Sequence, residues 1–244
     1  MRARAWRGAG IRLTAAFWLV GVARAQEPAD ALKLVIDVGL LNVAGNTRIT
    51  TVNVAENIAY ASGAWAVAQS FAVVYGRTGG VTTASQWKAG VRGDRKSGER
   101  WSLYLLAGYE RNTFAGIARR FEEAAGVAAL PVKTARDEMA VEAGGSLNQQ
   151  RSILGVSTNF VAARAAGRYR RGFGEKAFFQ QSLEVLPNLD ETDDLRLNAE
   201  SQLVAPLSTR VGLKLSYVVR YDNLPEPGFQ KTDRILTAGV QIVL

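Results

Sequence analysis

Arg164 and Arg168 stand four residues apart in a run that continues to Tyr169, Arg170 and Arg171. On an extended strand that spacing puts both guanidiniums on one face, and Arg170 joins them. Further along, Arg196 and Glu200 share a face, as do Lys214 and Arg220. A confined aqueous space walled by such cations selects anionic solutes by charge. The same faces also carry Asp37, Asn53, Asn57, Gln86, Lys88, Arg92, Glu138 and Glu142. With signs mixed in this way, the alternative is a network of paired charges that fills a narrow interior. Both readings stay open here, and Arg164, Arg168, Arg170, Arg196, Glu200, Lys214 and Arg220 are the candidate lining residues.

Other chemistry is sparse. The chain has no histidine and no cysteine. It therefore lacks the usual general base of a Ser or Cys hydrolase, the commonest metal ligand and any disulfide. The expectation is a non-enzymatic protein with no catalytic, cofactor-binding or metal-binding residues and no cofactor. A membrane-embedded enzyme acting on envelope lipids is the alternative, and no Ser, Cys or Thr nucleophile motif supports it. The run Asp190-Glu191-Thr192-Asp193-Asp194 offers oxygen ligands that could hold a divalent cation against lipopolysaccharide phosphates, but it lacks the Gly and terminal Glu of an EF-hand loop and reads as a solvated loop. Gly79-Gly80 and Gly144-Gly145 read as turn or strand-end glycines, since no helix follows them to bind phosphate.

The elements that carry these residues count in twos. From Val211 to Tyr221, one face reads Val, Leu, Leu, Tyr, Val, Tyr and the other Gly, Lys, Ser, Val, Arg. Between Leu195 and Leu203 the second face holds Arg196, Asn198, Glu200 and Gln202. A period of two with one apolar and one charged face is a strand between oil and water. Turn signals divide the chain into twelve such pieces: 34–44, 48–61, 64–76, 81–94, 100–111, 117–128, 133–145, 156–170, 175–186, 194–205, 210–222 and 232–244. Each is long enough for the roughly 9 to 11 residues that a tilted strand needs to cross a bilayer. The fold class expected is all-β, an up-and-down transmembrane antiparallel β-barrel of the outer-membrane type with about 12 strands. A soluble secreted β-sandwich or lipocalin-like binder would share the alternation but leave the aromatics described next unexplained.

An even strand number puts both termini at one rim. Connections after even strands should then be tight, as are those at Ser62-Gly63 and Phe173-Gly174. Those after odd strands should be longer, as at 146–155, 187–193 and 223–231, although Gly45-Asn46-Thr47 reads as a tight hairpin. Strand parity places Tyr60, Trp65, Trp101 and Tyr169 outward near the terminal rim and Tyr75, Tyr109 and Tyr221 outward near the other. That is where an interfacial aromatic girdle belongs. Trp87 departs, lying nearer mid-strand. Glu56 also fits badly: the alternation from Val52 to Tyr60 turns it toward lipid, unless a bulge or a register error brings it inward or it serves a lateral contact.

The front end reads as an export signal. Arg2, Arg4 and Arg7 precede an apolar stretch from Ile11 to Val22 and an Ala23-Arg24-Ala25 cleavage site. Residues 1–25 are the expected signal peptide, 26–33 a short periplasmic lead-in and 34–244 the barrel. Cleavage removes five arginines and lowers the formal charge from +8 to about +3, so no footprint for nucleic acid remains.

From Phe179 to Asp233 the residues Phe179-Gln180-Gln181-Ser182-Leu183, Leu186-Pro187-Asn188-Leu189-Asp190-Glu191, Leu213-Lys214-Leu215-Ser216-Tyr217, Arg220-Tyr221-Asp222 and Lys231-Thr232-Asp233 resemble the salt-induced outer-membrane protein family, a YdiY-like group with a domain of unknown function. Gly45-Asn46-Thr47 followed by Val52-Asn53-Val54 resembles that family's first hairpin. The resemblance implies outer-membrane placement and a β-barrel, and the family name sets a salt-responsive envelope protein beside the small pore that the charged faces suggest. Its expected partners are outer-membrane lipid, lipopolysaccharide and the insertion machinery. It brings no catalytic residues. The chain ends on Leu244, where such barrels usually end on an aromatic.

Overall fold

The computed structural model describes residues 31–43, 49–174 and 176–244. The expected signal peptide, most of the lead-in and the Gly45-Asn46-Thr47 hairpin lie outside them. Among the described residues there are twelve strands: β1 Ala31–Val43, β2 Ile49–Ser62, β3 Trp65–Thr78, β4 Val81–Lys96, β5 Trp101–Asn112, β6 Ile117–Lys133, β7 Asp137–Ser152, β8 Ser157–Phe173, β9 Ala177–Pro187, β10 Leu195–Pro206, β11 Val211–Asp222 and β12 Thr232–Val243. Each pairs antiparallel with its sequence neighbours, and β12 returns to β1 to close the barrel. Among the described residues no helix is long and apolar enough to cross a membrane. Closure matters physically, because a barrel in lipid satisfies its backbone only between strands and must leave no edge.

The start of β1 and the end of β12 lie at one rim, here called the terminal rim, with the turns that follow β2, β4, β6, β8 and β10. The loop rim carries the turns at 79–80, 113–116 and 153–156 and the longer connections 188–194 and 223–231. Two expectations are corrected. The connection expected over 146–155 is mostly strand, since β7 runs to Ser152. Ser146, Asn148 and Ser152 are buried inward while Leu147 faces out, so what looked like a polar loop is a strand whose wet face points into the lumen. Gly144-Gly145 is likewise mid-strand and not a strand end. β6 runs past 128 to Lys133 by means of a bulge between Ala129 and Val132, which accommodates Pro131.

The barrel is inverted relative to a soluble protein. Leu105 on its exterior is 68% exposed, whereas Arg164 in its interior is 2% exposed. The apolar residues inside form small patches, the largest being Tyr104, Leu106, Ala124 and Ala128. Glu56 stays outward: the ladders of β2 to β1 and to β3 run unbroken through it, pairing it with Ile36 and Phe71. No bulge rescues it.

The lumen as candidate functional site

The inward side chains of β4 to β10 are joined by ion pairs across the lumen. Arg92 donates from Nε and Nη2 to both oxygens of Asp94, at 2.8 Å each. The two residues are two apart on β4 and therefore share a face. Arg92 also pairs with Glu142 at 2.9 Å, and Glu142 accepts from Arg164 at 2.7 Å. Arg164 continues to Glu184 at 2.8 Å, and Glu184 accepts from Asn198 at 3.0 Å. Beneath both guanidiniums lies the Tyr104 ring, 4.6 Å from the Arg92 carbon and 5.3 Å from that of Arg164, and its hydroxyl accepts from Arg164.

Tyr104 fits there because Gly126 and Gly144 are cross-strand partners. A Cβ at Gly144 would sit 2.6 Å from the tyrosine oxygen and 2.2 Å from the Ala125 carbonyl. The paired glycines thus flatten the wall on which the ring rests.

A second cluster centres on Glu110. It accepts from Gln86 at 2.9 Å and from Arg220 at 3.1 Å, and it pairs with Lys88 at 3.3 Å and Arg120 at 3.6 Å. Three cations surround this one carboxylate. Two chambers meet there. A wide one of about 830 Å³ opens at the terminal rim; a small one of about 90 Å³ lies under the loop rim. Arg220 and Asn198 border both, so Arg220 and its partner Glu110 stand in the septum between them.

The small chamber is roofed by the 223–231 connection, with Leu224, Pro225, Glu226 and Phe229 in its lining. Glu226 accepts from Gln150, which in turn accepts from Arg120 at 2.8 Å. The roof is thereby tied through two side chains to the Glu110 cluster. It also lies close over Gly116, where a Cβ would be 2.6 Å from that of Glu226.

The seven candidate lining residues all face inward, but they do not form one wall. Arg164 is consumed by Glu142 and Glu184. Arg168 pairs with Glu138 at 2.7 Å, and Arg170 lies over Phe178 at 3.8 Å, both beside the wide chamber. Lys214 reaches Asp37 at 2.6 Å, while Glu200 accepts from Ser216 at 2.7 Å. Arg196 lies near the loop rim over Phe160, 4.7 Å away. Glu110, Glu184, Arg120 and Tyr104 were not singled out in the sequence, although extending the alternation from Trp101 to Tyr109 puts Tyr104 and Glu110 on the inner face.

Of the aromatics, Trp65 and Trp101 begin β3 and β5 at the terminal rim, 57% and 60% exposed, with Tyr60 also exposed at that level. Tyr169 donates to Asp137 at 2.5 Å near the same rim. Toward the loop rim Tyr75 is exposed and Tyr221 donates to Asn223 at 2.7 Å. There Tyr109 stacks on Trp87 at 4.5 Å and meets Phe121 edge-on at 4.8 Å. Trp87 therefore belongs with the loop-rim aromatics, since neighbouring strands are staggered and position along one strand does not measure height. Of the acids of 190–194, Asp190 accepts from the Val161 amide of β8 and Asp194 from the Asn188 side chain. Among the described residues no cluster of three metal-ligating side chains occurs.

A closed, up-and-down, twelve-stranded antiparallel barrel with an apolar exterior and a charged interior is a β-barrel of the outer-membrane type. The chain belongs to the family described as "Protein of unknown function, DUF481", whose model matches residues 36–242. A comparison with the curated proteins finds no match. Similar solved structures include the translocator domain of the autotransporter NalP from Neisseria meningitidis, with 14% identity, 90% of this chain and 89% of that one covered and a TM-score of 0.48. The NanC porin is similar at 10% identity, with 87% and 98% covered and a TM-score of 0.49. An anion-selective porin from Comamonas acidovorans is similar at 8% identity, with 88% and 99% covered and a TM-score of 0.43.

Proposed function

We propose that this chain is exported with loss of residues 1–25, sits in the bacterial outer membrane with its terminal rim toward the periplasm, and acts there as a gated conduit for small anionic solutes. The observation that carries this reading is the septum. Two chambers enter the lumen from opposite rims and stop on either side of one cluster, Glu110 with Lys88, Arg120 and Arg220. Among the described residues the closure consists of a few long side chains. Side chains of this length change rotamer on a fast timescale once their partners are exchanged. The Lys88, Arg120 and Arg220 cations that converge on Glu110 are the groups an entering anion would meet.

Planar-bilayer recording tests the reading. The parent protein should conduct rarely. Arg220→Ala removes the longer of the two side chains common to both chambers and leaves Glu110 paired with Lys88 and Arg120, so it should conduct steadily, with a reversal potential shifted toward anions. Folding is checked by heat-modifiable migration on a gel. A folded R220A protein as silent as its parent would refute the conduit and favour a permanently filled barrel.

A further inference from the structure

The wall of the barrel is unequally sewn. β2 is paired to β1 from Ala31 through Val43, and β11 to β12 from Val211 through Tyr221. The closing seam between β1 and β12 has four residue pairs, Val35 with Val243 through Val38 with Val240, extended at the terminal rim by reciprocal backbone bonds between Leu34 and Leu244. Toward the loop rim the ladder stops. The rest of β1 is held by β2, and β12 from Thr232 to Gly239 by β11, with no ladder joining the two across the seam. In hydrocarbon each backbone group left without a partner costs several kcal/mol, so a seam of four residue pairs is a costly feature to keep in a barrel whose other ladders each run to nine pairs or more.

The ladder gives way at a pair of glycines. A Cβ on Gly239 would lie 2.4 Å from the Val38 carbonyl, and one on Gly39 would lie 3.0 Å from the Thr237 methyl. Inside this spot is a cavity of about 60 Å³ lined by Asp37, Asn53, Glu200 and Lys214 among others. Asp37, Glu200 and Lys214 also line the wide chamber, so the chamber that the septum closes toward the loop rim runs up to the weakest part of the wall. The Asn53 side-chain oxygen is buried there without a hydrogen-bond partner. At the chamber's mouth stand Lys133, Arg136, Lys176 and Arg210, while Asp137 and Glu138 nearby are paired with Arg171 and Arg168. Outside the seam the wall is apolar and exposed, at Val38, Leu40 and Leu236.

We infer that the β1–β12 seam is a lateral portal through which an anionic, lipid-like amphiphile passes between the wide chamber and the bilayer. The cationic mouth takes the acidic head group, the Asn53 oxygen accepts from a hydroxyl or amine on that head, and the apolar tail leaves between the strands beyond Gly39 and Gly239. The inference rests on the membrane placement proposed above but not on conduction through the septum.

The chain has no cysteine, so pairs can be introduced cleanly. Ile36→Cys with Ile242→Cys lies inside the ladder; Leu40→Cys with Ala238→Cys continues the same register and face beyond it. In folded, reconstituted protein the first pair should oxidise fully and the second at least about tenfold more slowly, because a disulfide needs Cβ atoms held about 4 Å apart. Equal rates and extents would mean the seam is zipped and would overturn the portal. The second arm uses a diazirine-bearing fatty acid in phosphatidylcholine vesicles, with labelled residues located by mass spectrometry. Labelling at Val38–Leu40 and Leu236–Val240 should exceed that at Leu103 and Leu105 several-fold. Uniform labelling would reduce the seam to ordinary lipid contact and end the proposal, and labelling at neither place would refute the membrane placement and the portal with it.

Discussion

Glu142 holds two guanidiniums at once, which makes its removal a sharp test of whether the lumen is a bonded interior or a wet channel. Its side chain is almost fully buried and lies 2.9 Å from Arg92 and 2.7 Å from Arg164. Glu142→Gln keeps the shape, removes the charge and leaves one strong acceptor where there were two. Breaking a buried pair by removing one partner costs about 3–5 kcal/mol, since the other charge stays buried. Here Arg92 retains Asp94 and Arg164 retains Glu184, so neither cation is abandoned. The expected loss therefore sits near the lower bound, about 3 kcal/mol. With a urea slope of about 1–3 kcal/mol per molar, the unfolding midpoint in lipid vesicles should fall by about 1–3 M. Tryptophan fluorescence follows the transition. Glu138→Gln is the comparison, because Glu138 pairs only with Arg168 and is partly open to the wide chamber; it should lose no more than about 1 kcal/mol. If E142Q and E138Q shifted the midpoint equally, water would be screening the inner network and the bonded interior would be wrong.

Other consequences are equally accessible. Gly144→Ala should destabilise by several kcal/mol or prevent folding, as its Cβ would meet a backbone carbonyl at 2.2 Å; Gly93→Ala, with open space around it, should be neutral in the same urea titration. Glu56→Leu should raise stability in vesicles by about 1–2 kcal/mol, because an outward carboxylate midway along β2 is a cost that apolar carbon does not carry; a loss of stability would reveal a lateral partner for that acid. Gly116→Ala should lift the 223–231 roof, since Glu226 leaves no room for a Cβ and the residue sits at φ 80. Protease cleavage within 223–231 should then quicken, and unchanged cleavage would show that the roof does not depend on that contact.

The strand count, the antiparallel order and the outward face of nearly every strand are legible in the chain because period-two alternation is a local property, and a bilayer rewards it at each position independently. Even Glu56 was placed correctly by parity alone, and the hoped-for bulge does not exist. Register is another matter. Arg92 meets Glu142 across 50 residues of chain and Arg220 meets Glu110 across 110, and those encounters depend on how twelve ladders align around a closed cylinder. A slip of one residue in any of them would exchange inner for outer faces, and no local pattern records the sum of the offsets. For the same reason the sequence shows cations facing inward but not that Arg164 is bound on both sides while Arg220 stands between two chambers. Glycines 126 and 144 carry that lesson in small: apart in the chain they read as breaks, and only as cross-strand partners do they make the flat wall on which Tyr104 and the whole charge relay rest. The twelve faces came from local oil and water preferences; the septum, the roof and the short seam came from closure, which is a property of the assembled cylinder alone.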